Sequence, residues 1–453
     1  MPRPNVVFII TDNQSDWTLG CYGNEDIRTP NIDRLAAEGI RFANSYCVNS
    51  VCSPSRATFL TGLIPSQHGV HSYLGGEKPD AQLGEDAYCV ISEFANLPRI
   101  LSDEGYTCGL SGKWHLGDSM KAQEGFSYWF TRPKGHTRTF YDDDAIWQGE
   151  LYKEPRYITD VITEHAIDFL EQEHEQPFFL YVGYNGPYGL GQSMLETHQN
   201  RHTEYYADKD LPCFPREEIH PWLFNNRDMI NNPVSIRGYA SAVSGVDDGV
   251  GEIMSALDRL GYAENTLFIF TADQGHCGGH HGMWGMGDHS RPIHTYEETV
   301  RIPLIFRHPN RILSGQVFEP MTCNYDFFPS VLEHLGLEGR LSDSPKLPGS
   351  SYAAAFKGDS GEREEVVFHE YENARMIRTW EWKLTRRRPN GPDQLFDMKN
   401  DPGERENLID ATEAQLDLAD LQRQLEGFFE KYADPEYDLW KGGRSKAGLL
   451  IKE

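Results

Sequence analysis

The segment around Cys52 contains a potential nucleophile and a cationic residue only four positions apart. It reads Cys-Ser-Pro-Ser-Arg over residues 52–56. Pro54 and Ser55 are typical of a helix start, which would put Cys52 beside a helix N-terminus. Free backbone N–H groups at such an end favour a bound anion, and Arg56 adds a planar fork of donors. Cys52 is therefore either a thiolate nucleophile or, as for most lone cysteines, a small buried apolar side chain.

Two acidic residues each stand directly before a side-chain amide. Asp12 precedes Asn13, and Asp273 precedes Gln274. Carboxylate and amide oxygens are the ligands that hard cations such as Ca²⁺ and Mg²⁺ prefer. An aspartate at the end of a strand is also a common turn or cap residue. The pattern thus predicts either a divalent metal site or two ordinary turns.

The elements that must position these residues are short apolar runs, each preceded or followed by a helical pattern. The predicted strands are residues 6–10, 107–111, 178–184 and 267–271, and the predicted helices include residues 97–104, 158–173 and 235–260. This alternation predicts an α/β sandwich with a large, mainly parallel sheet flanked by helices. In such sheets chemistry collects past the carboxyl ends of the strands, which is where Asp12, Lys113 and Asp273 stand.

The character of the sequence changes after about Gly358. Short strand patterns follow one another there, and a charged amphipathic pattern at residues 413–432 predicts a helix. The predicted strands are residues 366–371, 376–382, 383–387 and 394–398. We therefore predict a larger domain over residues 1–360 and a smaller C-terminal α+β domain with an antiparallel sheet over residues 361–453.

Charge restricts the classes of partner. The formal net charge is −27 at pH 7, from 42 Lys and Arg against 69 Asp and Glu in 453 residues. A surface this acidic argues against nucleic acid or an anionic membrane as partner. An anionic substrate would therefore need a local cluster of cations.

Segments that would direct the chain to a membrane or an export pathway are not predicted. No run of about 18 apolar residues exists, so we expect no membrane insertion. The apolar run at residues 5–11 is too short and wrongly flanked for a signal peptide. The expected location is the cytoplasm, or the periplasm or exterior if a leader peptide has been removed. The eight cysteines form no CxxC pair, which makes thiolate–metal and dense disulfide frameworks weak hypotheses.

The segment around Cys52 also resembles a family signature. Residues 52–56 followed by Leu60-Thr61-Gly62 resemble the sulfatase pattern Cys-x-Pro-Ser-Arg and Leu-Thr-Gly. Further similar segments follow in order, at residues 112–117, 271–275 and 296–298, so the resemblance spans nearly the whole chain. It implies a formylglycine-dependent type I sulfatase with the α/β core of the alkaline phosphatase superfamily and a small C-terminal domain.

The resemblance implies a modified nucleophile and a metal. In that family the cysteine, here Cys52, is oxidised to formylglycine by a formylglycine-generating enzyme. Asp12, Asn13, Asp273 and Gln274 would then bind one Ca²⁺, with Mg²⁺ as the other choice, and an oxygen of modified Cys52 would complete the shell.

The same resemblance implies roles for three further residues. Arg56 would orient the hydrated aldehyde, Lys113 would bind sulfate oxygens, and His115 would act as a base. All three residues are therefore expected to be catalytic, and Lys113 is also expected to bind substrate.

The sequence departs from the family pattern at two positions that bind sulfate in the family. Tyr188 stands where relatives often place a histidine, and Met286 stands where relatives carry a lysine. A methionine can neither bind sulfate nor protonate a leaving oxygen. The candidates to replace that lysine are nearby residues that can carry a proton or a charge: His276, His280, His281, His289, His294 and Arg291. We favour His281, which matches a histidine in many relatives, as the proton donor, and we predict that Tyr188, His281 and Arg291 contact substrate. The metal pairs also depart, because Asp-Asn and Asp-Gln replace the Asp-Asp and Asp-Asn of many relatives.

Aromatic side chains are the candidates for reading the organic part of the substrate, although each is as often ordinary packing. They are Tyr128, Trp129, Phe140, Trp222 and Trp284. The favoured function is a sulfuric ester hydrolase acting on a sulfated small molecule or saccharide. A phosphonate or phosphate ester hydrolase of the same superfamily is the alternative, because tetrahedral anions fit the same cradle, and a binding protein with a decayed site is the third.

Overall fold

The computed structural model describes residues 3–75, 89–196, 198–359, 363 and 365–451. The strands of this part of the chain are β1 (Asn5–Asp12), β2 (Ile40–Phe42), β3 (Ser45–Tyr46), β4 (Thr107–Gly112), β5 (Phe126–Thr131), β6 (Asp143–Trp147), β7 (Glu150–Glu154), β8 (Phe178–Pro187), β9 (Thr266–Ala272), β10 (Leu304–Arg307), β11 (Gln316–Phe318), β12 (Thr322–Cys323), β13 (Val366–Tyr371), β14 (Ala374–Thr379), β15 (Trp382–Arg387) and β16 (Gln394–Asp397). The α-helices are α1 (Pro30–Ala37), α2 (Cys52–Thr61), α3 (Pro65–His68), α4 (Leu97–Asp103), α5 (Ile158–Leu170), α6 (Ser193–Glu196), α7 (Thr203–Tyr206), α8 (Pro233–Leu260), α9 (Glu297–Val300), α10 (Phe327–Leu335) and α11 (Gln415–Tyr432).

One large sheet forms the centre of the molecule. Its strand order is β11-β2-β10-β9-β1-β8-β4-β5-β6-β7. The central strands β9, β1, β8, β4 and β5 run parallel to their neighbours in that series. Antiparallel pairs lie towards the edges, at β10–β9, β10–β2, β5–β6 and β6–β7. The prediction of a large, mainly parallel sheet is confirmed.

Strand β1 explains why helices cover both faces of this sheet. All eight of its residues are buried. Because side chains alternate across a strand, Val6 and Phe8 enter one apolar core while Val7 and Ile9 enter the other. Helices α2, α4 and α10 contribute to the first core, and α1, α5 and α8 contribute to the second. The result is the three-layer α/β sandwich that the alternating pattern predicts.

The C-terminal part forms a separate four-stranded antiparallel sheet in the order β13-β14-β15-β16, followed by α11. One predicted strand, residues 376–382, was misplaced: β14 ends at Thr379 and Trp382 already begins β15. A tight turn between the two strands separates these residues. The predicted domain boundary between residues 360 and 361 lies outside the described residues, so the division into two domains stays a prediction.

Within the described residues, every helix is too short or too polar to cross a bilayer.

Candidate active site

The carboxyl ends of neighbouring parallel strands bring the predicted residues to one edge of the sheet. Strand β1 ends at Asp12, β9 is followed by Asp273, and β4 is followed by Lys113. Strand β8, which lies between β1 and β4, ends at Pro187, directly before Tyr188. This edge is where sheets of this kind hold their chemistry.

Cys52 is the first residue of α2, a helix whose ten residues are all buried. Val51 before it has an extended backbone, so the chain turns into the helix at Cys52. In the first turn, Ser55 Oγ donates a hydrogen bond to the backbone carbonyl of Asp273. Asn324 Nδ2 in turn donates to Ser55 Oγ at 3.0 Å. These bonds fix the start of α2 against the end of β9.

A cluster of potential metal ligands surrounds Cys52. The ligand atoms of Asp12, Cys52 and Asp273 all lie within 4.8 Å of one another, and all three residues are buried. Gln274 Nε2 lies 3.4 Å from Asp12 Oδ1 and 3.8 Å from Cys52 Sγ, and it also contacts Asn13 Oδ1.

The amide of Gln274 tests whether these residues fit a cation. Its Oε1 atom is buried and has no hydrogen-bond partner, while its Nε2 atom points at the oxygens of Asp12 and Asn13. Half a turn of the amide would direct Oε1 to that point instead, and the two ends of an amide are interchangeable in shape. The result is a set of carboxylate and amide oxygens that suits a hard divalent cation. The residues therefore fit the predicted metal.

Arg56 is a buried cation held in one orientation. Its Nε and Nη2 atoms lie 2.9 and 2.8 Å from Asp273 Oδ2. Its Nη1 atom donates to Tyr181 Oη at 3.0 Å and to the Lys113 carbonyl at 3.1 Å. A planar guanidinium loses little freedom when several of its donors are engaged. Arg56 is therefore a rigidly held positive charge near Cys52.

Lys113 supplies the second cation. Its Nζ lies 2.6 Å from Asp12 Oδ2 and 5.9 Å from the centre of the Tyr188 ring. Burial raises the pKa of Asp12 to about 6, against the opposing effect of Lys113. The ammonium group thus stands between the carboxylate cluster and the phenol.

His115 has the geometry of a neutral base. One ring nitrogen, Nε2, lies 2.9 Å from the Leu74 carbonyl, and the other, Nδ1, is buried without a partner. Burial, with Lys113 and His136 nearby, lowers the pKa of His115 well below its ordinary value. Since Nε2 must donate to a carbonyl, Nδ1 carries the free lone pair. Gly135 makes room for the ring, because a Cβ at that position would lie 2.1 Å from it.

Cys52 itself is poorly suited to act as a thiolate. Burial, with Asp12 and Asp273 nearby, raises the pKa of its thiol to about 12, although Lys113 acts in the opposite direction. The unmodified side chain is therefore a thiol near neutral pH and a weak nucleophile.

Three of the residues around Cys52 have left-handed backbone, which few side chains adopt. They are Asn13 (φ 60°), His115 (φ 59°) and Tyr188 (φ 54°). Such conformations cost about 1–3 kcal/mol each and concentrate at functional sites. Sequence patterns gave no sign of them.

Tyr188 and Met286 both lie beside the carboxylate cluster. The Tyr188 N–H donates to the Asp12 carbonyl at 3.0 Å, and Asn13 Nδ2 donates to the Tyr188 carbonyl at 3.0 Å. Met286 Sδ lies 3.3 Å from Gln274 Nε2 and is 2% exposed. A thioether therefore occupies space beside the metal-site amide.

His281 belongs to a different cluster. Its Nε2 lies 3.2 Å from Glu298 Oε2, and its ring stacks on Tyr296 at 3.9 Å. A ligand atom of Glu404 lies within 4.8 Å of those of His281 and Glu298. These contacts engage His281 with Glu298 and Tyr296, and its role as a proton donor to the leaving group stays a prediction.

Arg291 is also engaged by protein groups. Its Nη1 donates to the Asp288 carbonyl at 2.7 Å and to the Ser290 carbonyl at 2.8 Å. Its guanidinium stacks 4.6 Å from the centre of the Phe224 ring. Contact between Arg291 and substrate stays a prediction.

Most of the predicted sugar-stacking aromatics are core residues. Tyr128, Trp129, Phe140 and Trp284 are at most 4% exposed. Trp129 Nε1 donates to the Ser119 carbonyl, and Trp284 Nε1 donates to the Gly189 carbonyl. Of the two alternatives for these four residues, burial supports ordinary packing, and the internal hydrogen bonds occupy the donors of Trp129 and Trp284. Trp222 remains partly exposed.

One residue at the site was missed by the sequence analysis. His136 Nδ1 lies 3.2 Å from Tyr188 Oη, and its ring lies 5.8 Å from that of His115. It lies in a loop without periodicity, so only the three-dimensional structure brings it to the site.

Comparison with known proteins agrees with this geometry. The family model described as sulfatase matches residues 4–337, and the model described as N-sulphoglucosamine sulphohydrolase, C-terminal, matches residues 282–431. An N-acetylglucosamine-6-O-sulfatase of Bacteroides thetaiotaomicron is 27% identical over 98% of this chain and 90% of its own length. An N-acetylgalactosamine-6-sulfatase of Mus musculus is 30% identical over 74% of this chain and 63% of its own length. A structure solved in complex with its substrate D-glucosamine-2-N,6-O-disulfate has a TM-score of 0.73 and 24% identity, and the match covers 96% of this chain and 99% of that chain.

The fold and the site together define an α/β protein that holds a buried carboxylate cluster, a cysteine at a helix start and two flanking cations at the carboxyl edge of its central sheet. The chain belongs to the sulfatase family of the alkaline phosphatase superfamily. It is accordingly a sulfuric ester hydrolase.

Proposed function

We propose that this enzyme removes sulfate from a sulfated saccharide, using a formylglycine made from Cys52 and one bound divalent cation. The observation that carries the proposal is the convergence of Asp12, Cys52 and Asp273 within 4.8 Å, with Arg56 and Lys113 as flanking cations. The names of the relatives, both sulfatases of N-acetylated amino sugars, support a saccharide as the organic part.

Asp12, Asn13, Asp273 and Gln274 would hold the cation. An oxygen-only set favours Ca²⁺, and Mg²⁺ is the second choice because it demands stricter geometry. The cation, when bound, lowers the pKa of an attacking hydroxyl and offsets the charge on sulfate.

The residues of the chain have separate tasks in this reaction. A hydrated formylglycine would supply two hydroxyls on one carbon. One would attack sulfur while the sulfur–oxygen bond to the alcohol breaks, and the alcohol would leave with a proton. Loss of the proton from the second hydroxyl would then re-form the aldehyde and release sulfate. Arg56, fixed by Asp273, orients that group and offsets its charge. Lys113 Nζ donates to the sulfate oxygens. His115 Nδ1 accepts the proton whose loss releases sulfate.

The burial of α2 bears on how Cys52 is modified. Residues 52–61 are all buried in the folded protein. A formylglycine-generating enzyme must therefore act on the segment before the helix packs. Mass spectrometry of the peptide that contains Cys52 should reveal a loss of about 18 Da relative to cysteine, the mass change of this covalent modification.

The charge of the site favours sulfate over phosphate monoesters. Two carboxylates, Asp12 and Asp273, face two cations, Arg56 and Lys113. A phosphate monoester is largely a dianion near neutral pH, since its second pKa is about 6, whereas a sulfate ester is a monoanion. The proposed metal would add two positive charges to this balance. The lack of cations at positions 188 and 286 still weakens binding of a dianion more than binding of a monoanion, because the attraction scales with the charge of the ligand.

The test measures turnover of sulfated mono- and oligosaccharides, an aryl sulfate, a phosphate monoester and a phosphonate monoester. We expect sulfate release from at least one saccharide, and its loss in Cys52→Ala. Higher turnover of the phosphonate or phosphate ester would establish the alternative hydrolase. An unmodified thiol, with activity unchanged in Cys52→Ala, would refute the mechanism.

A further inference from the structure

Two residues at the site, Tyr188 and Met286, stand where the family pattern has cations. Met286, 2% exposed, offers a thioether that cannot donate a hydrogen bond. Tyr188, 4% exposed, offers a phenol, whose ordinary pKa of about 10 keeps it protonated near neutral pH. Tyr188 is therefore a neutral hydrogen-bond donor, and its ring lies 5.9 Å from Lys113 Nζ.

A neutral donor is useful only if its single hydrogen points at the substrate. The backbone of Tyr188 is fixed at both its N–H and its carbonyl, by Asp12 and Asn13. Its ring stands over Lys113 Nζ. With the backbone and ring fixed, the O–H bond can still rotate about the bond between the ring and Oη. The direction of the hydrogen must therefore be set by a hydrogen-bond partner at Oη.

His136 is that partner. Its Nδ1 lies 3.2 Å from Tyr188 Oη. The imidazole is held edge-to-face by Tyr73, with ring centres 4.6 Å apart, and by His115 at 5.8 Å. Gly135, directly before it, lies so close to the His115 ring that a side chain there would collide with it. The position of His136 is thus defined by three rings.

Resting on the proposed function, we propose that His136 is a positioning residue that holds the Tyr188 hydroxyl as a neutral hydrogen-bond donor to the sulfate ester. In the tautomer that bears hydrogen on Nδ1, His136 donates to Tyr188 Oη. The phenol hydrogen is then directed away from the imidazole and towards the anion beside Lys113. The opposite tautomer would accept that hydrogen and remove it from the substrate.

The experiment is a double-mutant cycle on the formylglycine-bearing enzyme, with an aryl sulfate and the best saccharide as substrates. Tyr188→Phe should lower kcat/KM about 100-fold, as for other single donors to a reacting anion. His136→Leu should lower it about tenfold, because the hydroxyl remains but is no longer directed. In the Tyr188→Phe background, His136→Leu should have no further effect.

His136→Asn provides the rescue, because the asparagine amide can place an N–H close to the position of Nδ1. It should stay within about threefold of wild type. His174→Leu is the matched control: His174 is also partly exposed but lies before the start of β8, at the opposite end of that strand from Tyr188. Thermal unfolding of each variant checks that the fold persists.

The outcomes separate this inference from the function on which it rests. Equal losses from His136→Leu in the wild-type and Tyr188→Phe backgrounds would overturn it, as would a loss in His136→Asn as large as in His136→Leu. Those results would leave Cys52-dependent sulfate release intact. If wild type with modified Cys52 released sulfate from no substrate, the proposed function would fail instead.

Discussion

Two walls of the site are built in different ways. The nucleophile wall consists of Asp12, Cys52, Arg56, Lys113 and Asp273, and it rests on strand ends of the central sheet and on α2. The loop wall, residues 283–295, follows β9 and contacts the C-terminal sheet: Arg387 Nε donates to the Ile293 carbonyl at 2.8 Å, and Thr295 Oγ1 lies 2.7 Å from Thr385 Oγ1.

The charges are also divided unevenly. Four ionisable groups of the nucleophile wall form the two buried ion pairs Lys113–Asp12 and Arg56–Asp273. At the metal-site amide, the loop wall presents the Met286 thioether. From this difference we expect the electrostatics of the reaction to come from residues fixed by the central sheet, and selection among anions to depend on a wall that contacts the C-terminal sheet.

The largest effect is expected from Asp273→Asn. The change removes one metal-site carboxylate and the counter-charge of Arg56, which is completely buried. Breaking a buried ion pair costs about 3–5 kcal/mol of stability, and we expect kcat/KM to fall by at least about 10³-fold. Urea unfolding and aryl sulfate turnover measure the two. Activity within tenfold of wild type would mean that residues of the loop wall also stabilise the charge that develops in the reaction.

Removal of the metal should lower turnover almost as much as Asp273→Asn does, and this loss should be reversible. Chelation with EGTA should abolish turnover, and added Ca²⁺ should restore it. At a concentration 100 times Kd, a bound ion stabilises the fold by about 2.7 kcal/mol, which calorimetry detects as a higher Tm. Met286→Leu, a change in the loop wall, should leave the Ca²⁺ midpoint unchanged. A Tm that does not change with Ca²⁺ concentration would contradict the assignment of Asp12 and Asp273 as ligands.

The same division explains what the sequence could predict. Asp12, Lys113 and Asp273 were predictable because strand ends and a linear signature determine their place. The partners of His281 were not, because Glu298 and Glu404 approach it through tertiary packing. His136 was not, because its loop has no period. For Trp284 both substrate stacking and core packing were open, because composition alone cannot distinguish a packed ring from an exposed one; the ring is buried.

A moderate effect is expected when charge is returned to the loop wall. Met286→Lys would place an ammonium near Gln274, where only a thioether now lies. We expect the ratio of phosphate to sulfate monoester turnover, as kcat/KM, to rise about tenfold, since a dianion gains more from an added cation. Met286→Leu is the matched control of similar volume and should leave the ratio unchanged. An unaltered ratio in Met286→Lys would mean that the nucleophile wall alone selects the anion.

The smallest effect on turnover is expected at Glu297, which joins α9 to the C-terminal sheet. Its Oε1 lies 3.0 Å from Lys383 Nζ and 3.4 Å from Arg378 Nε. Burial alone would raise the pKa of Glu297, but Lys383 and Arg378 outweigh it and lower the pKa to about 2. The ordinary value is 4.5. A depressed carboxyl pKa stabilises the fold above the unfolded value, and that contribution is lost as pH falls from about 4.5 to about 2.

Glu297→Gln should therefore lower the free energy of unfolding by about 3 kcal/mol at pH 7, and the difference from wild type should shrink below pH 4.5. Urea unfolding across this range measures it. Glu436→Gln, which removes an exposed partner of Arg444, serves as the control and should change little. Turnover of Glu297→Gln at pH 7 should stay within about threefold of wild type. A larger loss of turnover, with the fold intact, would mean that the position of the loop wall governs the chemistry as well as the choice of anion.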